Sequence, residues 1–208
     1  MGGRFKVLIT GIDGFTGRHL KNSLEGYDCV GLKSDLLDTI ALESEILNVK
    51  PNYVVHLAAI AFAGDLNVPK IYNVNVVGTL NLLAALSKME VPPKKVVLAS
   101  SGSVYGNAVS GSIDENTTAR PVNHYGCSKL SMEHMSRLYS DRYPIIITRP
   151  FNYTGRGHSE NFLIPKIVKA YKSSDSTIEL GNLDVFREFN DVRDVCSIYR
   201  LLLELDSK

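Results

Sequence analysis

Short apolar runs rich in β-branched residues alternate along the chain with longer stretches whose apolar positions recur at helical spacing. The runs Lys6 to Thr10, Cys29 to Leu32, Tyr53 to Leu57, Lys95 to Ser100 and Pro144 to Arg149 read as strands. Within them apolar residues follow one another directly, as in Val7-Leu8-Ile9 and Ile145-Ile146-Ile147. A strand that is apolar on both faces belongs in a parallel sheet covered by helices on each side. The pattern therefore predicts an α/β fold built on a doubly wound parallel sheet.

Proline marks the boundaries: Lys50-Pro51-Asn52 and Val91-Pro92-Pro93 each stop a helical segment just before a strand. Gly102 to Asn123, rich in Gly, Ser, Asn and Thr, reads as a long loop after the fourth strand, where such sheets commonly carry their sites. Beyond Pro150 the texture is less regular, with Asn161 to Ser173 and Asp191 to Leu205 expected as helices. There is no internal repeat or low-complexity tract.

At 208 residues, one main domain is expected. A net charge of +1 offers no broad basic field, so neither nucleic acid nor a membrane surface is an expected partner. Cys29, Cys127 and Cys196 stand far apart and lack the close pairs of a zinc site or disulfide framework, so reduced thiols and no metal are expected. The first ten residues lack a long hydrophobic region with a small-residue cleavage site, and no run reaches membrane-spanning length. A cytoplasmic location is the corresponding expectation.

Gly11-Ile12-Asp13-Gly14-Phe15-Thr16-Gly17 directly follows the first strand and opens a helix. Such a turn points backbone N–H groups and a helix N-terminus at a ligand, the arrangement that holds the pyrophosphate of a dinucleotide in a Rossmann domain. A purely structural turn is the alternative. Tyr125-Gly-Cys-Ser-Lys129 is the candidate for reactive chemistry, with an ordinary solvated helix pair as the alternative: a spacing of four on a helix stacks phenol and ammonium on one face. A neighbouring cation is expected to lower the phenol's pKa, making Tyr125 a proton donor and acceptor, with Lys129 also able to hold the nicotinamide ribose.

The wider Gly-x-x-Gly spacing followed by Phe15-Thr16-Gly17 resembles the short-chain dehydrogenase/reductase superfamily, in its extended epimerase/dehydratase branch of nucleotide-sugar enzymes. The resemblance extends through His56-Leu57-Ala58-Ala59, Asn75-Val-Val-Gly, Ser100-Ser101-Gly102-Ser103 and Arg149-Pro-Phe-Asn152. It implies that Ser101 completes a catalytic triad with Tyr125 and Lys129, and that Leu57, Ala58, Ala59 and Asn75 lie along the cofactor. Asn75 can equally be a structural hydrogen-bonder. Asp35-Leu36 resembles the family's adenine-side segment. No carboxylate stands at the tip of the second strand, where Lys33 and Ser34 would suit a 2′-phosphate, so NADP is expected, with NAD as the alternative.

Where the 4,6-dehydratases of the family carry an acidic residue, this chain has Ser103, which cannot serve as a carboxylate acid or base. Dehydration is disfavoured and hydride transfer remains. On the substrate side Asn152 and Ser103, with Phe162 and the phosphate-binding Arg187, match the family's contacts. Together with Gly181-Asn-Leu-Asp184 and Asp191-Val-Arg-Asp194, they look most like GDP-4-keto-6-deoxy-mannose reductases. This implies a GDP-linked sugar nucleotide reduced at its 4-keto group. A 4-epimerase with tightly held NAD and a catalytically idle dinucleotide binder are the alternatives.

Residues 1–150 are expected to form the dinucleotide-binding domain, and residues 151–208 to open a substrate-binding region interleaved with it. Family members are longer, so an incomplete base pocket is expected. Met132, Met135 and Leu138 at helical spacing fit either a homodimer contact or core packing.

Overall fold

The computed structural model describes residues 3–61, 67–107, 112–173, 177–181, 183–184 and 186–205. Part of the expected Gly102 to Asn123 loop and Asn182 of the Gly181 motif lie outside the described residues. Five parallel strands form the main sheet: β1 (Lys6–Thr10), β2 (Asp28–Gly31), β3 (Tyr53–His56), β4 (Lys95–Ala99) and β5 (Ile145–Thr148). Their order is β2-β1-β3-β4-β5, with Leu8 opposite Val54 and Val97 opposite Ile146. The expected strands are all present, each differing by at most a residue at either end.

The unbroken apolar runs divide between two cores. Leu8, Val54, Val96 and Leu98 face one, and Val7, Ile9, Val55 and Val97 face the other, all fully buried. Because successive side chains on a strand point to opposite faces, a sheet covered on both sides needs apolar residues at every position. The first core is closed by α2 (Thr39–Val49), α4 (Thr79–Leu86) and α5 (His124–Ser136), through Leu42, Ile46, Leu82, Leu83, Leu86 and Met132. The second is closed by α1 (Phe15–Ser23) and α7 (Val192–Glu204), through Leu20, Val192, Val195, Cys196, Tyr199 and Leu203.

Between β3 and β4, α3 (Val68–Tyr72) continues through a π-turn over Asn73–Gly78 into α4. The polar loop after β4 begins with one turn of 3-10 helix, Gly102–Tyr105, because the Ser101 side chain accepts from the Ser103 N–H and caps it. Past β5, β6 (Asn152–Thr154) and β7 (Phe189–Asp191) make a small parallel pair, with α6 (Leu163–Ser173) between them. Asp191 then caps α7 by accepting from the Arg193 N–H. α6 has no buried residue.

Of the stripe expected on the Tyr125 helix, Met132 is fully buried and Met135 packs against the same core, whereas Leu138 is 82% exposed. Core packing accounts for the two methionines. Among the described residues no helix is long and apolar enough to cross a membrane, and no cluster of three or more His, Cys, Asp or Glu converges as a metal site.

Candidate active site

The carboxyl ends of β1 and β4 bring two sets of residues to one edge of the sheet. At the first, the chain leaves β1 through Gly11 at φ 70°, where an added Cβ would sit 3.1 Å from the Ala58 backbone. A side chain at Gly17 would overlap the Gly11 carbonyl and Ile12, so α1 packs directly on the turn. Gly14 caps α1 without a side-chain hydrogen bond, leaving the first-turn N–H groups directed at the turn's concavity. A backbone cradle that any Cβ would fill, at a helix N-terminus, suits the pyrophosphate of a dinucleotide.

Thr10 ties this turn to the next strand. Its hydroxyl accepts from the Leu57 and Ala58 N–H groups at 3.1 and 3.0 Å and meets His56 Nδ1 at 2.7 Å. His56 Nε2 in turn meets the Thr79 hydroxyl, which donates to the Asn75 carbonyl. Burial holds the His56 imidazole neutral, pushing its pKa down to about 3. This relay sets the Leu57-Ala58-Ala59 segment beside Gly11. Asn75 stands behind that segment: its side chain accepts from the Ile60 N–H and donates to the Ile60 carbonyl and the Ser128 hydroxyl. Its polar atoms thus serve the scaffold.

The other residues of the turn join it to the chain beyond Pro150. Arg18 donates to the Asp13 carbonyl, and the Thr16 and Tyr153 hydroxyls lie 2.9 Å apart. Phe15 stacks on His158 and His158 on Phe162, each with ring centroids 4.3 Å apart. Burial lowers the His158 pKa, which favours the neutral ring in this sandwich.

At the end of β2 lies the first surprise. The Lys33 and Ser34 N–H groups donate to the Glu45 carboxylate at 2.9 and 2.7 Å, and the Ser34 hydroxyl donates to it at 2.6 Å. Asp35 turns back to accept from the Leu37 N–H, and Leu36 is buried in the first core. The sequence indicated no acidic residue at this tip; the fold brings one from α2.

At the end of β4, the Ser101 side chain stands beside Tyr125, where it favours the phenolate, and Lys129 follows one turn later along α5, with Nζ donating to the Ala99 carbonyl at 2.7 Å. The expected lowering of the phenol's pKa is corrected. Burial pushes Tyr125 up to about 12; the neighbouring Ser101 side chain opposes this and nearby Tyr153 adds to it. The ammonium does not offset that cost because it faces a carbonyl and is itself buried, which lowers its pKa to about 8 against the opposing pull of Glu133.

Glu133, Arg149 and Tyr105 extend the site beyond the expected triad. Glu133 stands one turn past Lys129 on the same face of α5, almost fully buried. It receives the Ser100 hydroxyl and a bidentate grip from Arg149, with Nη2 at 2.6 Å and Nε at 2.9 Å. Arg149 also donates to the Tyr105 hydroxyl at 2.9 Å. The network fixes the ends of β4 and β5 around Ser101. Its one sequence signal is the i, i+4, i+8 series Tyr125, Lys129, Glu133.

The substrate-side residues are less gathered. Ser103 is half-buried in the 3-10 turn, and its carbonyl leaves no room for a Cβ at Gly126 on the Tyr125 helix. Asn152, exposed at the start of β6, donates to the Glu188 carbonyl. Arg187 is exposed just before β7 and donates to the neighbouring Phe186 carbonyl. A cavity of about 630 Å³ lies between the 154–160 loop and α6, lined by Arg156, His158, Ile164, Val168 and Lys169, apart from Ser101, Tyr125 and Lys129.

Sheet order, glycine cradle and edge residues together define a Rossmann-type α/β protein. The model of the NAD dependent epimerase/dehydratase family matches residues 7–208, and the chain belongs to that family. It is similar to a GDP-6-deoxy-D-talose 4-dehydrogenase of Aggregatibacter actinomycetemcomitans, 39% identical over 96% of this chain and 71% of the relative. It is also 31% identical to a GDP-6-deoxy-D-mannose reductase of Pseudomonas aeruginosa, over 95% of this chain and 70% of the relative. Among solved structures, RMD from Pseudomonas aeruginosa complexed with NADPH superposes with a TM-score of 0.86 at 29% identity, covering 98% of this chain and 73% of that one.

Proposed function

We propose that the chain is a hydride-transferring oxidoreductase that interconverts the 4-keto and 4-hydroxyl forms of a nucleotide-linked 6-deoxy sugar, with GDP as the nucleotide. The observation that carries this reading is the meeting of Ser101, Tyr125 and Lys129 at the same sheet edge as the glycine cradle. The names of the two relatives support the sugar and the base.

The Gly11 to Gly17 turn would hold the pyrophosphate and the Leu57 to Ala59 segment would flank the cofactor. A bound nicotinamide would supply or accept a hydride at the sugar carbon. Ser101 orients the sugar oxygen through a hydrogen bond. Tyr125, held protonated at neutral pH by burial, gives its phenolic proton to that oxygen in the reducing direction. Ser103 has no carboxylate to remove a proton or assist loss of water, which favours oxidoreduction over dehydration. Asn152, Phe162 and Arg187 are assigned to the sugar nucleotide, with residues 151–208 opening its binding region against the domain of residues 1–150. A cytoplasmic location fits such a substrate.

Purified protein offered a panel of 4-keto sugar nucleotides should oxidise reduced dinucleotide fastest with a GDP-linked 6-deoxy sugar. Consumption with none of them would overturn the reading. Firmly bound NAD that is regenerated in each cycle, with no net consumption, would identify a 4-epimerase instead.

A further inference from the structure

We infer that Glu45 selects NAD over NADP by occupying the donors at the end of β2 that a 2′-phosphate requires. The inference rests on the dinucleotide-binding reading above and concerns its adenosine end. In a doubly wound sheet the residues just past the second strand face the 2′ position of that ribose. NADP differs from NAD only by the phosphate attached there.

Three donors converge at this tip in the present chain: the Lys33 N–H, the Ser34 N–H and the Ser34 hydroxyl. All three are engaged by one carboxylate, at 2.9, 2.7 and 2.6 Å. These hydrogen bonds and the Lys33 charge hold Glu45 below the usual carboxylate range despite its partial burial, so it is ionised at neutral pH. Asp35 and Asp38 place two more carboxylates on the same connection, where they accept from the Leu37 and Ala41 N–H groups. Lys33 is the one cation in the span from Gly31 to Val49.

An entering phosphate would find its donors taken and would face an anion held in place by them. Like charges brought this close at a protein surface repel. A 2′-hydroxyl reverses the sign, because it is neutral and can donate to a carboxylate. Lys33 and Ser34 alone point to NADP, but with Glu45 folded onto them the same residues point to NAD.

Isothermal titration of the purified chain with NAD and with NADP tests this without any sugar substrate. Wild-type protein should bind NAD at least about tenfold more tightly, the ratio that 1.4 kcal/mol produces. Glu45→Gln should move the NADP-to-NAD affinity ratio about tenfold toward NADP, and adding Lys33→Ala should cancel most of that gain. A merely structural glutamate would weaken both dinucleotides together and leave the ratio unmoved. Wild-type preference for NADP, or a ratio unchanged in Glu45→Gln, overturns the inference while leaving dinucleotide binding intact. Wild-type protein that binds neither dinucleotide overturns the parent reading and this inference with it. Because the wild-type ratio is informative alone, a Glu45→Gln chain that fails to fold does not rescue the idea.

Discussion

The glycine turn and the Tyr125 corner lie at the same edge of the sheet but are built in opposite ways. The turn offers backbone N–H donors and tolerates no ordinary side chain: a Cβ at Gly17 would overlap backbone, and one at Gly11, held at φ 70°, would press on Ala58. The corner offers side chains instead: three ionisable ones, Tyr125, Lys129 and Glu133, stand in sequence on one helix face, with the last two almost fully buried. Arg149 completes the set. A backbone site fails by steric intrusion, whereas a buried charged site fails by loss of a partner. The two regions should therefore respond differently to substitution.

The largest effect is expected at the reacting oxygen. Tyr125→Phe removes one hydroxyl and should slow dinucleotide oxidation with a 4-keto sugar nucleotide by about two to four orders of magnitude. Its thermal melting should stay close to that of the wild type. Unchanged turnover would remove Tyr125 from the mechanism. Glu133→Ala should act on stability first, because it leaves Arg149 and the Ser100 hydroxyl without their acceptor. A loss of about 3 kcal/mol in urea unfolding is expected, the low end for breaking a buried pair because Arg149 keeps some solvent contact. A loss near zero would mean that the network does not tie β4 to β5.

Lys129 gives a pH signature. Its pKa falls from 10.5 to about 8 on folding, so between those values the unfolded chain binds more protons than the folded one. That difference makes stability rise with pH across the window, and the cost of burying the ammonium is felt below it. Relative to Lys129→Met, the wild type should gain on the order of 2 kcal/mol between pH 7.5 and 9.5. Comparing the two proteins cancels the contributions of the buried thiols and phenols. Parallel stability curves would show that the lysine is not buried as a cation.

Smaller effects belong to the turn and the surface. Gly11→Ala forces a side chain into a left-handed conformation against Ala58 and should cost about 1–3 kcal/mol while weakening dinucleotide binding. If binding weakened with no loss of stability, the glycine would serve the ligand alone. Leu138→Ser, at an exposed position, should change stability by no more than about 0.5 kcal/mol. A decrease in particle size by light scattering would place that leucine in a contact between copies.

The sheet was legible in the sequence because Val7-Leu8-Ile9 and its counterparts fill two cores at once, a demand that leaves a continuous apolar run. The turn was legible because glycine suits its close approaches and positive φ, the Tyr125 and Lys129 pair because four residues separate them, and Ser101 only through the resemblance of its segment to the family's. Other features were hidden by distance along the chain. Glu45 reaches Ser34 from eleven residues away, and Glu133 meets Arg149 across sixteen. His158 joins Phe15 to Phe162 through rings that show no shared periodicity.

The amino-acid sequence by itself determined the doubly wound sheet and the glycine turn, and it marked Tyr125 and Lys129, with Ser101 through the family resemblance, as candidates. The sheet, the turn and the Tyr125 and Lys129 pair rest on local residue types: apolar periodicity, absent side chains, or helical spacing. Only the tertiary structure decided the charge states and neighbours. Burial raised the Tyr125 phenol where adjacency of Lys129 had suggested the reverse, and packing of α2 set Glu45 on the donors of Lys33 and Ser34. Solvent exclusion and long-range partners are properties of the folded chain, and they govern electrostatics where sequence proximity does not.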